Sequence, residues 1–419
     1  MADTPKLSND CFALPQGVAW TPVAEALDHL RNAVKIVVGT ETISTTDAGG
    51  RILAVDAIAN RSNPPYANAA VDGYGFAFAG LTSGDQALPL VDGRSAAGEP
   101  FDGVVPHGHA IRILTGARIP QGVDTVIMQE DVNIADDTLH FRGGLKAGAN
   151  CREAGEDVLQ GQPALLNGRK IAAQDIALLA ALNIPTLTVF KRLRVGVLST
   201  GDEIRQLGEA AEPHQIYDAN RPMLLEILRK WGLEAVDLGH AKDSRTAVIS
   251  ALDAGARCCD AILTSGGASA GDEDHLSAVL NENGSLNLWR IAIKPGRPLA
   301  LGMWQNVPVF GLPGNPVAAF VTTLIFARPA LLKMQGVGWK LPLPIMLPAG
   351  FSKSKKAGRR EYLRARMTDA GTIEKFQSEG SGRISGLTWS DGLVEFPDAA
   401  GEISQGDLVR YFPFERFGL

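Results

Sequence analysis

Arg194-Val195-Gly196-Val197-Leu198-Ser199-Thr200-Gly201-Asp202-Glu203 decides the fold class. An apolar run ends there in a glycine turn that carries a hydroxyl and two acids. The same form returns downstream. Ala235-Val236-Asp237-Leu238, Ala261-Ile262-Leu263 and Val307-Pro308-Val309-Phe310 also read as strands. Between them, helices are expected at about 220–231, 244–257 and 272–283, with a last one at about 316–334. Strand and helix in alternation predict a parallel sheet with helices on both faces. Residues 191–338 are therefore expected to be a doubly wound α/β domain.

The turns that follow these strands hold the chemistry. They are Ser199–Glu203, Ser265 through Asp274, Lys294-Pro295-Gly296-Arg297-Pro298, and Gly311-Leu312-Pro313-Gly314-Asn315-Pro316. In an open α/β sheet, ligands bind beyond the carboxyl ends of the strands. Glycines there let backbone approach a ligand, and helix starts offer N–H groups to an oxyanion. No G-x-G-x-x-G and no G-x-x-x-x-G-K-[ST] occurs, which disfavours a dinucleotide dehydrogenase and a P-loop NTPase. Gly267-Ala268-Ser269-Ala270-Gly271 fits the nucleophile elbow of α/β-hydrolases. Only His275 follows Ser269, with no separated acid between them, so Ser269 reads as a hydroxyl donor in an anion loop. Asp272 and Asp274 suit Mg²⁺, a hard cation that takes oxygen ligands, and equally suit an acidic helix start. Lys294 and Arg297 suit phosphate or another oxyanion.

Outward from this centre the pattern changes three times toward the N-terminus and once toward the C-terminus. Residues 15–55 look helical, from Val23, Ala26, Leu27, Leu30, Ala33 and Val34. Residues 56–151 read as mostly β, with runs such as Ala110–Leu114 and Asp124–Met128 between Gly, Pro and Asp clusters. Asp72-Gly73 is a turn signal. Residues 155–190 return to helix, strongest at Ala172–Leu182, and Pro185 ends it. The N-terminal helical segment and residues 152–190 are expected to form one discontinuous domain around an inserted β domain. Beyond Leu341-Pro342-Leu343-Pro344 the chain is β again, from 339 to 419. Lys353, Lys355, Lys356, Arg359, Arg360, Arg364 and Arg366 give it a basic patch, or a solvated edge strand defended by charge.

The 419 residues allow about three domains at roughly 150 residues each. With 40 Lys+Arg against 46 Asp+Glu, the net charge is −6, which argues against a nucleic-acid grip. Cysteines 11, 151, 258 and 259 have neither zinc spacing nor disulfide-scaffold density, so they read as idle thiols in a reducing compartment. Residues 1–12 lack a signal-peptide pattern. The longest apolar stretch, Val317–Ala327, ends at Arg328 and is too short for a bilayer. A cytoplasmic chain without membrane attachment is expected.

The chain resembles the molybdopterin molybdotransferases, which insert molybdenum in the last step of molybdenum-cofactor synthesis. The E domain of gephyrin is a relative. The resemblance rests on Ala70-Val71-Asp72-Gly73-Tyr74, Ile113–Ala117, Arg152–Asp157, Ser199–Glu203, Tyr217-Asp218-Ala219-Asn220, Gly266–Asp274, Lys294-Pro295-Gly296 and Gly311–Pro316, in family order across nearly the whole chain. Val71 and Leu114 stand where methionine is usual, and Arg290 and Arg297 where lysine is frequent.

This resemblance implies four domains in an elongated homodimer: a helical domain from 1–55 and 152–190, an inserted β domain at 56–151, the α/β molybdopterin-binding domain at 191–338, and a C-terminal β-barrel at 339–419. It implies molybdate and adenylylated molybdopterin as substrates, Mg²⁺ as cofactor, and molybdenum cofactor and AMP as products. The substrate's own dithiolene holds the molybdenum, in keeping with the sparse cysteines. Asp72, Thr115, Asp157, Glu203, Asp243 and Asp274 carry over as active-site acids and hydroxyl. Arg152, Ser269, Arg290, Lys294, Arg297, Pro313, Asn315, Pro316, Arg359 and Ser381 carry over as substrate-binding. Asp272 and Asp274 are the metal candidates. A molybdopterin adenylyltransferase and molybdoenzyme maturation factors are the implied partners. Two other classes share parts of the pattern: a stand-alone adenylyltransferase, which needs only the α/β domain, and a non-catalytic scaffold.

Overall fold

The strand Ala261–Ser265 is buried at all five positions, as a strand covered on both faces must be. It lies inside a six-stranded sheet of order Glu234–Ala241, Arg194–Thr200, Ala261–Ser265, Val307–Leu312, Pro298–Trp304, Ser285–Arg290. The computed structural model describes residues 20–266, 275–283, 285–296 and 298–419. They divide into one unit of Thr42–Val189 and another of Phe190–Leu419 with the chain up to Glu41.

The first four strands of the sheet are parallel, as expected. The last two are antiparallel, so the sheet is mixed. Trp304 and Val307 close a hairpin through Gln305 and Asn306, both left-handed at φ 47° and 66°. Two-residue hairpins favour this conformation because its twist matches that of the strands. Helices cover both faces. Asn220–Lys230 and the Pro316–Met334 segment bury Leu224, Leu228, Phe320 and Phe326 on one face. Arg245–Cys258 and His275–Asn283 bury Val248, Leu252, Leu276 and Val279 on the other. Ser244 starts the former by accepting from the Ala247 N–H at 3.3 Å.

The Pro316–Met334 helix has the expected bounds, but it is more continuous in apolarity than the Val317–Ala327 stretch suggests. It runs through Arg328 to Met334, 19 residues with mean hydropathy 1.5, long and apolar enough to cross a membrane by composition. Its window is 83% buried within the fold, so core packing accounts for its apolarity. Arg328 stays in the helix because its guanidinium donates to the Phe417 carbonyl at 2.8 Å.

The N-terminal segment also differs from expectation. Only Val23–Ala33 is helical, and Val23, Ala26, Leu27 and Leu30 enter the same apolar cluster as the α/β sheet. This helix therefore belongs with the α/β unit and not with residues 152–190. C-terminal residues Tyr362, Leu393, Phe412 and Phe417 share that cluster. The C-terminal sheet runs Ile293–Lys294, Arg360–Met367, Gly392–Phe396, Leu408–Pro413, Ile345–Pro348, with Ile373–Lys375 beside Arg360–Met367. Arg360–Met367 is thus an inner strand, not a solvated edge. Arg364 is 4% exposed and donates to the carbonyls of Arg383, Ser378 and Gly380.

The Thr42–Val189 unit contains a six-stranded sheet of order Thr125–Met128, Gly73–Phe76, Ala110–Ile113, Asp85–Ser95, Thr138–Arg142, Val132–Ala135. In residues 155–190 only Ala173–Ala181 is α-helical; strands Pro163–Leu165 and Thr186–Phe190 flank it. The β-branched Thr186, Thr188 and Val189 favour extended backbone after the Asn183 turn. Leu179 of the helix packs with Leu53, Leu165, Leu187 and Val189, so both sides of the sequence insertion build one small core.

Candidate active site

In the Thr42–Val189 unit, residues 63–72 form a strip on which four expected residues hang. Asp72 ends it. Its Oδ1 accepts from the Thr115 backbone N–H and the Thr115 hydroxyl, both at 2.7 Å. The turn holding Thr115 is fixed to the strip by Gly116 N–H donating to Ala69 O at 2.8 Å. On the other side, Cys151–Arg152 pairs antiparallel with Asn68–Ala69, setting Arg152 opposite Asn68. Farther along, Asn63 Nδ2 donates to Asp157 Oδ2 at 2.8 Å, and the Asp157 N–H returns to Asn63 O at 3.1 Å. Asp72, Thr115, Arg152 and Asp157 are all exposed on this scaffold. The bonds from Thr115, hydroxyl first and backbone second, hold the Asp72 carboxyl below its ordinary value.

A test of that cause is Thr115→Val, which removes the hydroxyl and keeps the backbone donor. The Asp72 titration followed by carboxyl NMR should move up toward the ordinary range. A lowered native value adds stability above the unfolded-state pKa, lost as pH falls through the native one. A curve that overlays the parent's would remove Thr115 as the cause.

In the other unit the α/β sheet reverses its order at Arg194–Thr200, which has the later strands Glu234–Ala241 and Ala261–Ser265 on either side. Such a switch point opens a crevice at the carboxyl ends of the strands. Gly266, at φ 93°, sits so close to the first turn that a Cβ would lie 2.8 Å from Thr200 O. Asp202 and Asp243 lock the first two turns together. The Asp202 N–H donates to Asp243 Oδ2 at 3.2 Å, and the Asp243 N–H to Asp202 Oδ1 at 3.1 Å. His240 Nε2 lies 2.6 Å from Gly201 O. Glu203 stands exposed beside them. The Gly311–Pro316 turn lies at the same edge, since Ser265 is in register with Leu312. Arg290 also ends a strand there, in register with Pro298, and is exposed.

Lys294 and Ser381 join this edge to the C-terminal segment. Val317 N–H donates to Ser381 O at 3.2 Å, beside Asn315 and Pro316. Lys294 Nζ lies 2.5 Å from Glu379 and 3.5 Å from Glu361. Lys353 contacts the same two carboxylates at 2.5 and 3.2 Å. Despite burial, the two lysines hold the Glu379 carboxyl down to about 2. Lys294, expected as a basic partner of an oxyanion, is therefore also mostly buried and ion-paired within the chain. Arg359 is half-buried just before the Arg360–Met367 strand.

Comparison with known proteins decides the family. Residues 21–183 match the MoeA N-terminal region (domain I and II), 196–333 a probable molybdopterin binding domain, and 347–414 the MoeA C-terminal region (domain IV). A molybdopterin molybdenumtransferase of Haemophilus influenzae is 38% identical over 90% of this chain and 94% of its own. The chain belongs to the molybdopterin molybdenumtransferase family. A Mycobacterium tuberculosis molybdopterin molybdenumtransferase 2 is 31% identical over 88% of this chain and 94% of its own. A crystal structure of a molybdopterin biosynthesis MoeA protein from Pyrococcus horikoshii superposes with TM-score 0.81 at 28% identity, over 94% of this chain and 99% of that one.

For a molybdenumtransferase-family chain, the structure groups the expected residues into two sets. Asp72, Thr115, Arg152 and Asp157 share the 63–72 strip. Glu203, Asp243, Arg290, Lys294, Pro313, Asn315, Pro316 and Ser381 belong to the α/β and C-terminal unit. Ser269, Asp272, Asp274 and Arg297 lie outside the described residues. Among the described residues, no three His, Cys, Asp or Glu side chains gather as a metal site. Burial pushes the Cys151 thiol up to about 11 and the Cys259 thiol up to about 12, so neither is a ready thiolate at neutral pH. Sequence reading gave no role to Asn220 or Ser265, which meet at the crevice edge. Their signals were Ser265 opening the Ser265–Asp274 turn and Asn220 closing the Tyr217–Asn220 stretch before a helix.

Proposed function

We propose that this chain transfers molybdenum by inserting molybdate into adenylylated molybdopterin, releasing AMP and giving molybdenum cofactor. The observation that carries the reading is the match to all three family regions in order, combined with acids, bases and glycine turns on one switch-point edge. The Gly314 backbone, where a Cβ would meet nothing nearer than 3.9 Å, suits a close-lying pterin phosphate. Arg290 and Lys294 supply positive charge to the anionic substrate. Asp72, its carboxylate held in place by the two Thr115 bonds, is an acceptor for a substrate proton or N–H. Mg²⁺, when bound, would neutralise phosphate charge; its expected ligands Asp272 and Asp274 lie outside the described residues, and Asp243 and Glu203 are described carboxylates of the same edge. In this reading the enzyme is a cytoplasmic homodimer that receives its substrate from a molybdopterin adenylyltransferase and passes its product to molybdoenzyme maturation factors.

The test supplies the full chain with adenylylated molybdopterin and follows AMP by chromatography, with and without molybdate. AMP release that depends on molybdate is the expected result. Adenylylation of molybdopterin from ATP would instead make it an adenylyltransferase, and inertness in both assays would favour a scaffold. Light scattering should give twice the 44.4 kDa chain mass.

A further inference from the structure

We infer that Asn220 is a positioning residue that clamps two turns of the crevice into one ligand-binding surface; this rests on the molybdopterin reading of that crevice. Asn220 is the first residue of the Asn220–Lys230 helix and is 7% exposed. Its Nδ2 donates at 2.7 Å to Ser265 Oγ, at the end of the Ala261–Ser265 strand, and at 2.7 Å to the Gly314 carbonyl, in the Gly311–Pro316 turn. One amide thus spans two adjacent strand ends on the side where ligands enter.

The amide is not there to start its helix. Asp218 does that, accepting from the Arg221 N–H at 3.0 Å while its other oxygen receives the Arg221 guanidinium. Nor can the amide be reversed. Gly314 O only accepts, so an oxygen turned toward it would meet another lone pair. In the observed orientation Asn220 Oδ1 is buried without a hydrogen-bond partner. A buried unpaired carbonyl is unfavourable. The fold tolerates it where the two donors of the same group hold Ser265 and Gly314. Gly266 follows Ser265 and rests on Thr200, so the clamp also fixes the first turn through that contact. The turns bind the pterin nucleotide, and Asn220 acts on it only through them.

Asn220→Asp keeps the shape and abolishes both donors, and Ser265→Ala removes one acceptor while leaving the helix start intact. In the full-length protein, amide exchange at 311–318 should accelerate at least about tenfold in Asn220→Asp and less in Ser265→Ala, while Ile111 and Ile113 exchange as in the parent. KM for adenylylated molybdopterin should rise about tenfold with kcat changed far less, because the turns bind rather than react. If Asn220→Asp does not fold, Ser265→Ala carries the same two readouts. Unchanged local exchange and unchanged KM, with only a lower melting temperature, would make Asn220 a packing residue and overturn the inference. A parent that releases no AMP would sink the molybdenum-transfer reading instead. The exchange measurement would still decide the clamp.

Discussion

Lys294→Gln should weaken binding of adenylylated molybdopterin at least about tenfold and lower the melting temperature as well, because this lysine stands at two jobs. Its ammonium faces the anionic ligand in the proposed function. It is also one of two cations holding Glu379 and Glu361 inside the C-terminal segment. A charge-assisted contact of this kind is worth about 1.5–3 kcal/mol, and Lys353 remains to shield the carboxylates, so the loss should stay within that range. Acid stability should change in a defined direction. Glu379 ionises at about 2 in the native protein against an ordinary value of 4.5, so it contributes stability above the ordinary value. That contribution disappears as pH falls toward the native value. Without Lys294 the native value rises, and the acid unfolding midpoint should move up.

Glu379→Gln separates the two jobs. It breaks the same pair and should cost comparable stability, yet it leaves the Lys294 ammonium for the ligand. Calorimetric titration with adenylylated molybdopterin should find its affinity equal to the parent's or higher. Equal loss of affinity in both variants would show that Lys294 acts through the ion-pair cluster alone.

The α/β core was legible because a strand buried on both faces has to be apolar throughout. Val195–Leu198 and Ala261–Leu263 announce themselves, and the helices Asn220–Lys230 and Arg245–Cys258 fall within one or two residues of expectation. The antiparallel strands Pro298–Trp304 and Ser285–Arg290 escaped. A proline opens the first, and its hairpin uses Gln305-Asn306 in place of a glycine pair, so the usual turn signal is absent. Val23–Ala33 was legible as a helix but not as part of the α/β core, because amphipathicity shows that one face is buried and not against what. The site followed the same division. Chemical types on the turns were readable, and so was Asp72 with Thr115 by resemblance. The Lys294–Glu379 pair was not, since 85 residues separate its partners and no local spacing encodes it. Asn220 was hidden for a similar reason, as its acceptors lie 45 and 94 residues away.

Gly73→Ala should be the most damaging single-methyl change near the site. Asp72-Gly73 reads in sequence as a turn, but Gly73 is the first residue of the strand Gly73–Phe76, paired on both sides. The glycine is there for closeness rather than for a bend. A Cβ would lie 1.8 Å from the Ile127 carbonyl oxygen and 2.8 Å from its carbon, both backbone atoms of the neighbouring strand. Neither strand can give way locally, so the pair must separate at Gly73, at a cost of about 3 kcal/mol. Asp72 is the next residue back, and its carbonyl accepts from Gln129 N–H at 3.1 Å on the displaced side. Its carboxylate should swing away from Thr115, its titration should return toward the ordinary range, and turnover should fall on the order of a hundredfold. Gly75→Ala in the same strand is the control. Its Cβ would meet Val123 Cγ1 at 2.7 Å, the end of a side chain that can rotate, and not backbone. Gly75→Ala should lose stability with little change in the Asp72 titration. Should the two alanine variants lose activity alike and leave Asp72 titrating as in the parent, closeness at Gly73 would not be what positions the carboxylate.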